Sequence, residues 1–590
     1  MQVADQTADR APDMAAFAER RAKMIGFSTA HDSTAAHAAA HLANFGIGAL
    51  GLPAHRKGAS ARTLNLSRLQ RQAYQSFQQG HLDKAERLCA AILKHRSDDF
   101  DALHMLGLAH LHRRRPARAL DFLSKALRAN AGSVDAMSNL GLALHASGRF
   151  EEAIASYRNA LMLAPGHPEI LFNLGNAFLE LGRIDEALAS FDEVLAKDPS
   201  HVGAYVNRGN TLLRFNRPAE ALESYDKALA LMPSHPQILT NRGHALRRLD
   251  RPVEALAGLA SALANAPEFP EAHFEAGLAR LTLGDFKTGW KEYEWRWKTG
   301  SFADKRRSFR APLWLGDAPL SGRTILLHAE QGFGDTIQFI RYAPLVAERG
   351  ARVICEVQPE LVALLSQLEG IDVIASGTAL PAFDLHCPLL SLPLAFGTAL
   401  ETIPAGIPYL AAPPARRQYW RDRLLQCGPR AGFVWSGSSA HKNDANRSIP
   451  LARFVALLEQ TPFGCFSLQR DLREADREDL RRIPNLVDLG SELSDFTDTA
   501  AIISLLDVIV TVDTAVAHLA GALGKPVLIL LPHAADFRWL RDRDDTPWYP
   551  TAKLLRQPAF GDWDSVIVRL ADELRRLSQS VFERSGNRFA

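Results

Sequence analysis

Six glycines, Gly107, Gly141, Gly175, Gly209, Gly243 and Gly277, follow one another at a constant spacing of 34 residues. A fixed period of that length confines this part of the chain to one supersecondary unit used repeatedly, each copy burying its apolar face against the next. Twelve residues after each of the first five glycines stands an alanine, Ala119, Ala153, Ala187, Ala221 and Ala255, and the register carried one period back lands on Ala85. Ring side chains follow four residues later at Tyr157, Phe191 and Tyr225, and Pro165, Pro199, Pro233 and Pro267 close four of the units. Two antiparallel helices come close where their side chains are small. The spacing therefore predicts contact between the glycine of a first helix and the alanine of a second, which the proline then stops.

These are the marks of tetratricopeptide repeats. Seven units are predicted between about residue 66 and residue 300, with Ala73 at the first glycine position and Gly289 at the last alanine position, as degenerate array ends allow. Such hairpins stack into a superhelix whose first helices line a concave groove. Asparagines stand two residues before four of the glycines, at Asn139, Asn173, Asn207 and Asn241. A carboxamide both donates and accepts, so a ladder of them can hold an extended polypeptide whatever its side chains. This ladder resembles that of the O-linked N-acetylglucosamine transferases of animals. Asparagine also serves structural ends at that repeat position, and both readings stand.

Length and charge bound the rest. A chain of 590 residues exceeds what one core accommodates, so two to four domains are expected. Lys plus Arg at 68 against Asp plus Glu at 66 leave a formal charge of +2, which gives no case for nucleic acid. The densest basic run, Arg113, Arg114 and Arg115, falls on an expected turn between helices and reads as solvated. Cys89, Cys355, Cys387, Cys427 and Cys465 show neither metal-ligand spacing nor close pairing, which fits a reducing, cytoplasmic setting. No run approaches the roughly 18 apolar residues of a membrane span. Residues 1–62 are rich in Ala, His, Ser and Gly, have no sustained period, and read as a mobile leader.

After the repeats, 63–300, and a linker, 301–322, the pattern changes to short apolar runs alternating with amphipathic segments. Runs at 324–329, 351–357, 372–375 and 383–387 predict a first Rossmann-like lobe, 323–412. Beyond a proline-bearing hinge at 404–414, runs at 431–435, 465–468, 508–512 and 527–531 predict a second, 413–590. The expected fold class is therefore an N-terminal α-superhelix followed by two α/β lobes facing one cleft, the GT-B arrangement.

Ligands of open parallel sheets sit beyond the carboxyl ends of the strands, where three polar junctions stand out. The first is Glu330, Gln331, Gly332, Phe333, Gly334, Asp335, which fails as a dinucleotide fingerprint because Ile337 occupies the third glycine position and Gln358 follows the next strand. The second, Asp513, Thr514, Ala515 through His518, opens a helix whose free amides and dipole suit a diphosphate. The third, Ser436, Gly437 and Ser438 with Lys442 and Arg447 beyond, adds hydroxyls and positive charge. Asp542 to Asp545 contain an acid-x-acid spacing but lack a strand end beside them, so they read as a solvated loop rather than a metal site.

Taken together, residues 322–575 resemble the heptosyltransferase-like glycosyltransferases (family 9), and the aromatic run Gly289, Trp290, Lys291, Glu292, Tyr293, Glu294, Trp295, Arg296, Trp297 is similar to the junction of the repeat-containing bacterial branch. The resemblance implies a catalytic aspartate at Asp335 after Gly334. It implies donor-phosphate contact by Arg447, where the family often has lysine, and diphosphate binding by Asp513, Thr514, Ala515 and His518, with Gly334, Ser436, Gly437 and Ser438 lining the same donor site. Ala515 replaces a family glycine and puts a Cβ where backbone should meet phosphate. The implied reaction is inverting, metal-independent and cofactor-free transfer of a sugar from a nucleotide-diphospho-sugar to an acceptor hydroxyl, on a polypeptide held by the repeats or on a surface saccharide. A non-catalytic repeat scaffold retaining a degenerate sugar-nucleotide site is the alternative.

Overall fold

The computed structural model describes residues 61–424, 428–441 and 443–586. Residues 1–60, which hold nearly all of the expected leader, and Cys427 and Lys442 lie outside the described residues. The chain forms two compact units, Met1–Pro233 and Ser234–Ala590.

In the first unit the described residues form five helical hairpins: Ala61–Gln78 with Leu82–His95, Phe100–His112 with Pro116–Ala129, Val134–Ala146 with Phe150–Leu163, Pro168–Glu180 with Ile184–Lys197, and Val202–Arg214 with Pro218–Leu231. Two more, Pro236–Arg248 with Pro252–Asn265 and Pro270–Thr282 with Phe286–Tyr293, belong to the second unit. Prolines open several of these helices, where the missing N–H costs nothing.

The repeat glycines do not meet the repeat alanines, as the spacing suggested. They face the larger side chain sixteen residues on. A Cβ on Gly175 would lie 2.7 Å from Phe191 Cε1, one on Gly209 2.6 Å from Tyr225 Cε1, and one on Gly107 2.6 Å from Leu123 Cγ. The glycine clears room for a ring or branched chain that fills the hairpin, while Ala119, Ala153, Ala187, Ala221 and Ala255, one turn earlier on the same face of the second helix, are fully buried. A feature that the spacing also held is a second ladder: Arg149, Arg183, Arg217 and Arg251 each precede a second helix and pair with Glu152, Glu186, Glu220 and Glu254. These pairs are largely exposed, so each contributes little to stability.

The second unit continues into two parallel sheets. The first contains β1 (Thr324–His328), β2 (Arg352–Val357), β3 (Ile371–Ala375) and β4 (Leu385–Pro388) in the order β3-β2-β1-β4. The second contains β5 (Arg430–Val434), β6 (Gly464–Ser467), β7 (Leu486–Asp488), β8 (Val508–Val512), β9 (Val527–Leu531) and β10 (Ala552–Arg556) in the order β10-β9-β8-β5-β6-β7. All ladders are parallel. Strands buried on both faces read as unbroken apolar runs, which is why β8 and β9 carry the sequence-expected bounds. The edge strands β7 and β10 escaped that reading because each alternates: Val487 and Lys553 are not buried.

The order 3-2-1-4 in the first sheet and the central pair β5–β8 in the second place a reversal of winding beside β1 and beside β5, where ligands bind in such sheets. The aromatic run after the last hairpin is part of this half. Trp290 packs edge-on against Phe339 and Phe537, with ring centroids 6.1 and 5.7 Å away. Buried Arg296 donates to Glu330 at 3.1 and 3.2 Å, to Glu294 at 2.6 Å and to Ser391 at 2.7 Å. Between the sheets, Arg341 is held under the hinge by the carbonyls of Trp548, 2.8 Å, and Pro404, 3.2 Å, and donates to the Tyr409 hydroxyl at 3.0 Å. Among the described residues no helix is long and apolar enough to cross a membrane.

Candidate functional site

The first junction leaves β1 through Glu330 and Gln331 and opens the helix Phe333–Phe339. Arg296 fixes Glu330, whose carboxyl burial pushes its pKa up to about 7, and Gln331 donates to the Tyr293 hydroxyl at 2.9 Å. The loop is thus clamped from below by the aromatic run. Asp335 stands in the first turn of the helix, where its Oδ2 accepts from the Gly332 backbone N–H at 2.8 Å. Its Oδ1 accepts from Arg538 Nη2, and its side chain stays 18% exposed. Asp335 therefore caps its own helix and also keeps an open edge toward the cleft.

The second junction leaves β8 and opens the helix Ala515–Ala522. Thr514 caps it, its Oγ1 accepting from Val516 N at 3.3 Å. Gly521 lacks a side chain where the Tyr549 ring presses on the helix, and the Tyr549 hydroxyl reaches His518 Nδ1 at 3.0 Å. His518 also stacks on Trp539, with centroids 5.3 Å apart. Burial, with Arg538, Arg341 and Arg447 nearby, holds the His518 pKa well below the ordinary histidine range, so the ring is neutral at physiological pH.

Asp513 is only part-buried by surface, yet its carboxyl is desolvated and faces Asp536, which push its pKa up to about 6; Arg447 opposes the shift. The Trp539 indole N–H lies toward it without reaching hydrogen-bond distance.

The third junction follows β5. Gln469 accepts from the Ser436 backbone N–H at 3.0 Å and donates back to the Ser436 carbonyl at 3.1 Å, fixing the turn. The Gly437 N–H donates to Ser448 Oγ at 3.0 Å. Gly437 has no room for a Cβ, which would lie 2.6 Å from Arg447 Nη2, so the guanidinium rests on bare backbone. Arg447 Nη1 donates to the Asp513 carbonyl at 2.8 Å, tying the third junction to the second. Arg447 Nε and Ser436 Oγ are buried and have no hydrogen-bond partner within the protein. Ser438 is exposed at the rim.

The junctions of the two lobes meet. A Cβ on Gly334 would lie 2.8 Å from His518 Cδ2 and 3.5 Å from Ala515 Cα, so the first-lobe helix start touches the second-lobe helix start. The bareness of Gly334 permits this approach. What sequence reading missed is the loop after β9. Asp536, Phe537, Arg538 and Trp539 form a short turn at a fourth strand end, and Arg538 joins Asp335 to Asp536 and Gln338. The signal was present: a buried-strand run followed by an Asp-x-Arg-Trp segment at the same sheet edge as the other junctions.

The four groove asparagines differ in their surroundings. Asn139 contacts His104 Nε2 at 2.9 Å, Asn207 donates to Asn176 Oδ1 at 2.8 Å, and Asn241 accepts from Gln237 Nε2 at 2.8 Å. Asn139, Asn173 and Asn241 are buried. A peptide would have to compete for groups already engaged inside the array. Among the described residues no cluster of three or more His, Cys, Asp or Glu is arranged to hold a metal ion, and Asp545 of the acidic loop pairs with Arg543 at 2.5 Å.

Comparison with known proteins matches this geometry to families. The tetratricopeptide repeat family model matches residues 71–134, 172–236 and 240–288, and a TPR repeat model matches 141–182. The model of glycosyltransferase family 9 (heptosyltransferase) matches residues 473–539, a stretch that includes Asp513 to His518 and Arg538 but not Asp335 or Arg447. The chain thus carries tetratricopeptide repeats and, in its C-terminal half, a segment that matches the heptosyltransferase family. It is similar to Protein FlbA of Caulobacter vibrioides, 25% identical over 329 residues that cover 51% of this chain and 54% of FlbA, so it spans about half the length of that curated relative. Among solved structures it is similar to a tetratricopeptide repeat protein from Parabacteroides merdae, 17% identical with a TM-score of 0.34, covering 40% of this chain and 94% of that one. It is also similar to YrrB, described as a TPR protein with an unusual peptide-binding site, 28% identical with a TM-score of 0.26, covering 28% of this chain and 86% of that one.

Proposed function

We propose that this protein is an inverting, metal-independent glycosyltransferase of the GT-B arrangement that moves a hexosyl or heptosyl group from a nucleotide-diphospho-sugar to an acceptor hydroxyl. One observation carries the reading: the helix start bearing Asp335 abuts the helix start bearing Thr514 to His518 across the lobe junction. A carboxylate and an anion-seeking helix end thereby stand next to one another at the lobe junction. The family 9 match over the second wall supports the same chemistry.

In this mechanism the acceptor oxygen attacks the anomeric carbon as its proton passes to Asp335, and the bond from that carbon to the diphosphate oxygen breaks. Charge accumulates on the departing nucleoside diphosphate. The spare donors of Arg447 and Ser436 and the amides at Thr514 to Ala517 lie where they stabilise it, at no cost in reorganisation. Neutral His518, oriented by Tyr549, serves as a hydrogen-bond group rather than a cation.

The acceptor is a polypeptide drawn along the repeats or a saccharide that reaches the cleft directly. The test offers the purified protein a panel of nucleotide sugars with each acceptor class, with Asp335→Asn as control, and reads products by mass spectrometry. Donor binding without turnover under any combination would replace the transferase reading with a sugar-nucleotide-binding scaffold. Removal of residues 1–233 separates the acceptors: transfer to saccharide that survives this truncation unchanged rules out the first five hairpins as its acceptor site.

A further inference from the structure

Arg538 is one of the most heavily engaged cations of the second unit, and neither the sequence motifs nor the family assignment gives it a role. It is 7% exposed, and its guanidinium is spread over three acceptors. Nε donates to Gln338 Oε1 at 2.8 Å, Nη1 to Asp536 Oδ1 at 2.7 Å, and Nη2 to Asp335 Oδ1. Its own backbone N–H donates to Asp536 Oδ1 at 3.1 Å, so the turn that carries it is tied to the same carboxylate. Phe537, stacked under the guanidinium at 4.5 Å, is wedged against Trp290 and Tyr293. The Arg538 side chain is 9% exposed and that of Asp335 18%, while Asp536 keeps 37% of its side chain in solvent.

Arg538 comes from the loop after β9 in the second lobe, and Asp335 and Gln338 come from the helix after β1 in the first. The pair therefore crosses the cleft. A planar guanidinium with fixed donor directions sets the angle of a carboxylate as an ammonium cannot. With Gly332 N–H on Oδ2 and Arg538 on Oδ1, rotation of the Asp335 carboxylate is arrested, while each oxygen keeps a second lone pair for a proton.

We infer that Arg538 is the positioning residue for Asp335: the donor-side lobe supplies the cation that orients the acceptor-side base, so the base is in register only while the two lobes are apposed. This rests on the transferase reading above. Arg538 acts only through the Asp335 carboxylate. Its effect belongs to the geometry of proton transfer rather than to donor affinity.

The experiment compares full-length wild type, Arg538→Lys, Arg538→Ala and Asp536→Asn, with the donor and acceptor that the wild type uses. For Arg538→Ala kcat falls by about 10²-fold, the scale of a misplaced catalytic group, with donor KM changed less than about threefold. Low-millimolar guanidinium, well below denaturing concentrations, restores about tenfold of it, which a purely structural arginine would not permit. Arg538→Lys keeps the charge but not the three-way grip and stays impaired about tenfold. Asp536→Asn retains Arg538 while loosening it, and lowers kcat about fivefold at unchanged donor KM, which keeps the test open should the arginine variants fold poorly. Wild-type kcat in Arg538→Lys and Asp536→Asn, or losses confined to donor KM, overturn the inference while leaving the transferase reading intact. A wild-type protein without turnover for any donor brings down both.

Discussion

The first-lobe wall of the cleft presents a carboxylate whose two oxygens are already held, Oδ2 by the Gly332 N–H and Oδ1 by Arg538. On the second-lobe wall the polar groups are instead left with spare capacity: Arg447 Nε and Ser436 Oγ are buried without a partner within the protein. On the proposed function, the contrast is between a group oriented before substrate arrives and groups that gain their partners from the ligand. A base must be aimed to work, whereas a phosphate site works by having donors to give. It teaches that the walls should fail differently when altered, one in turnover and the other in binding.

The largest effect is expected at the oriented wall. Asp335→Asn keeps the size of the side chain but removes the base, and should lower kcat by about 10²- to 10⁴-fold with donor affinity, measured by calorimetry, nearly unchanged. Arg447→Ala should invert that signature. It loses charge-assisted bonds worth about 1.5–3 kcal/mol, so donor Kd should rise about 10- to 100-fold while the folded protein keeps its thermal midpoint. If both variants lose binding equally, the distinction between the walls is broken.

Gly334→Ala probes the approach of one wall to the other. Its Cβ would lie 2.8 Å from His518 Cδ2, and relief requires the two helix starts to part. A loss of about 1–3 kcal/mol in urea unfolding is expected, with a drop in kcat/KM larger than for Gly332→Ala, where the nearest atom is 3.4 Å away.

Asp513 sharpens the electrostatics of the second wall. Its pKa is raised from the ordinary 3.8 to about 6, so the native state holds its proton more tightly than the unfolded chain. The stability this confers is complete below about pH 4 and is lost as pH rises through about 6. Asp513→Asn should then match wild type in thermal midpoint near pH 4 and exceed it by a few degrees at pH 8. A difference that does not change with pH would show that the carboxyl is not strained by its surroundings. The smallest effect on chemistry belongs to the repeats: Gly175→Ala crowds Phe191 and should destabilise its hairpin by about 1–3 kcal/mol with transfer to a small soluble acceptor unaffected.

Much of this was legible in the residues. The 34-residue period marked the hairpins but not the contact inside them: Gly107, Gly141, Gly175, Gly209 and Gly243 each make room for the Leu, Tyr or Phe sixteen residues on rather than for the alanine twelve residues on. Unbroken apolar runs gave eight strands, and the polar residues just beyond them gave Asp335, Arg447 and Asp513 to His518. The alternating edge strands β7 and β10 were lost because half their side chains face solvent, which erases the run. The aromatic segment Gly289 to Trp297 was visible as a motif, but its role was not: that Trp290 and Tyr293 brace Phe537 and that Arg296 locks Glu330 depends on partners far along the chain.

By itself, then, the sequence determined the repeating hairpins and the strand-turn-helix junctions, since local spacing encodes local structure. Tertiary structure alone decided that Gly334 rests on His518, that Arg447 reaches the Asp513 carbonyl, and that Asp335 is gripped by an arginine 203 residues away. Those contacts join strand ends that become neighbours only through the winding order of two sheets and the closing of one lobe on the other, and no periodicity along a chain records which strand ends will meet.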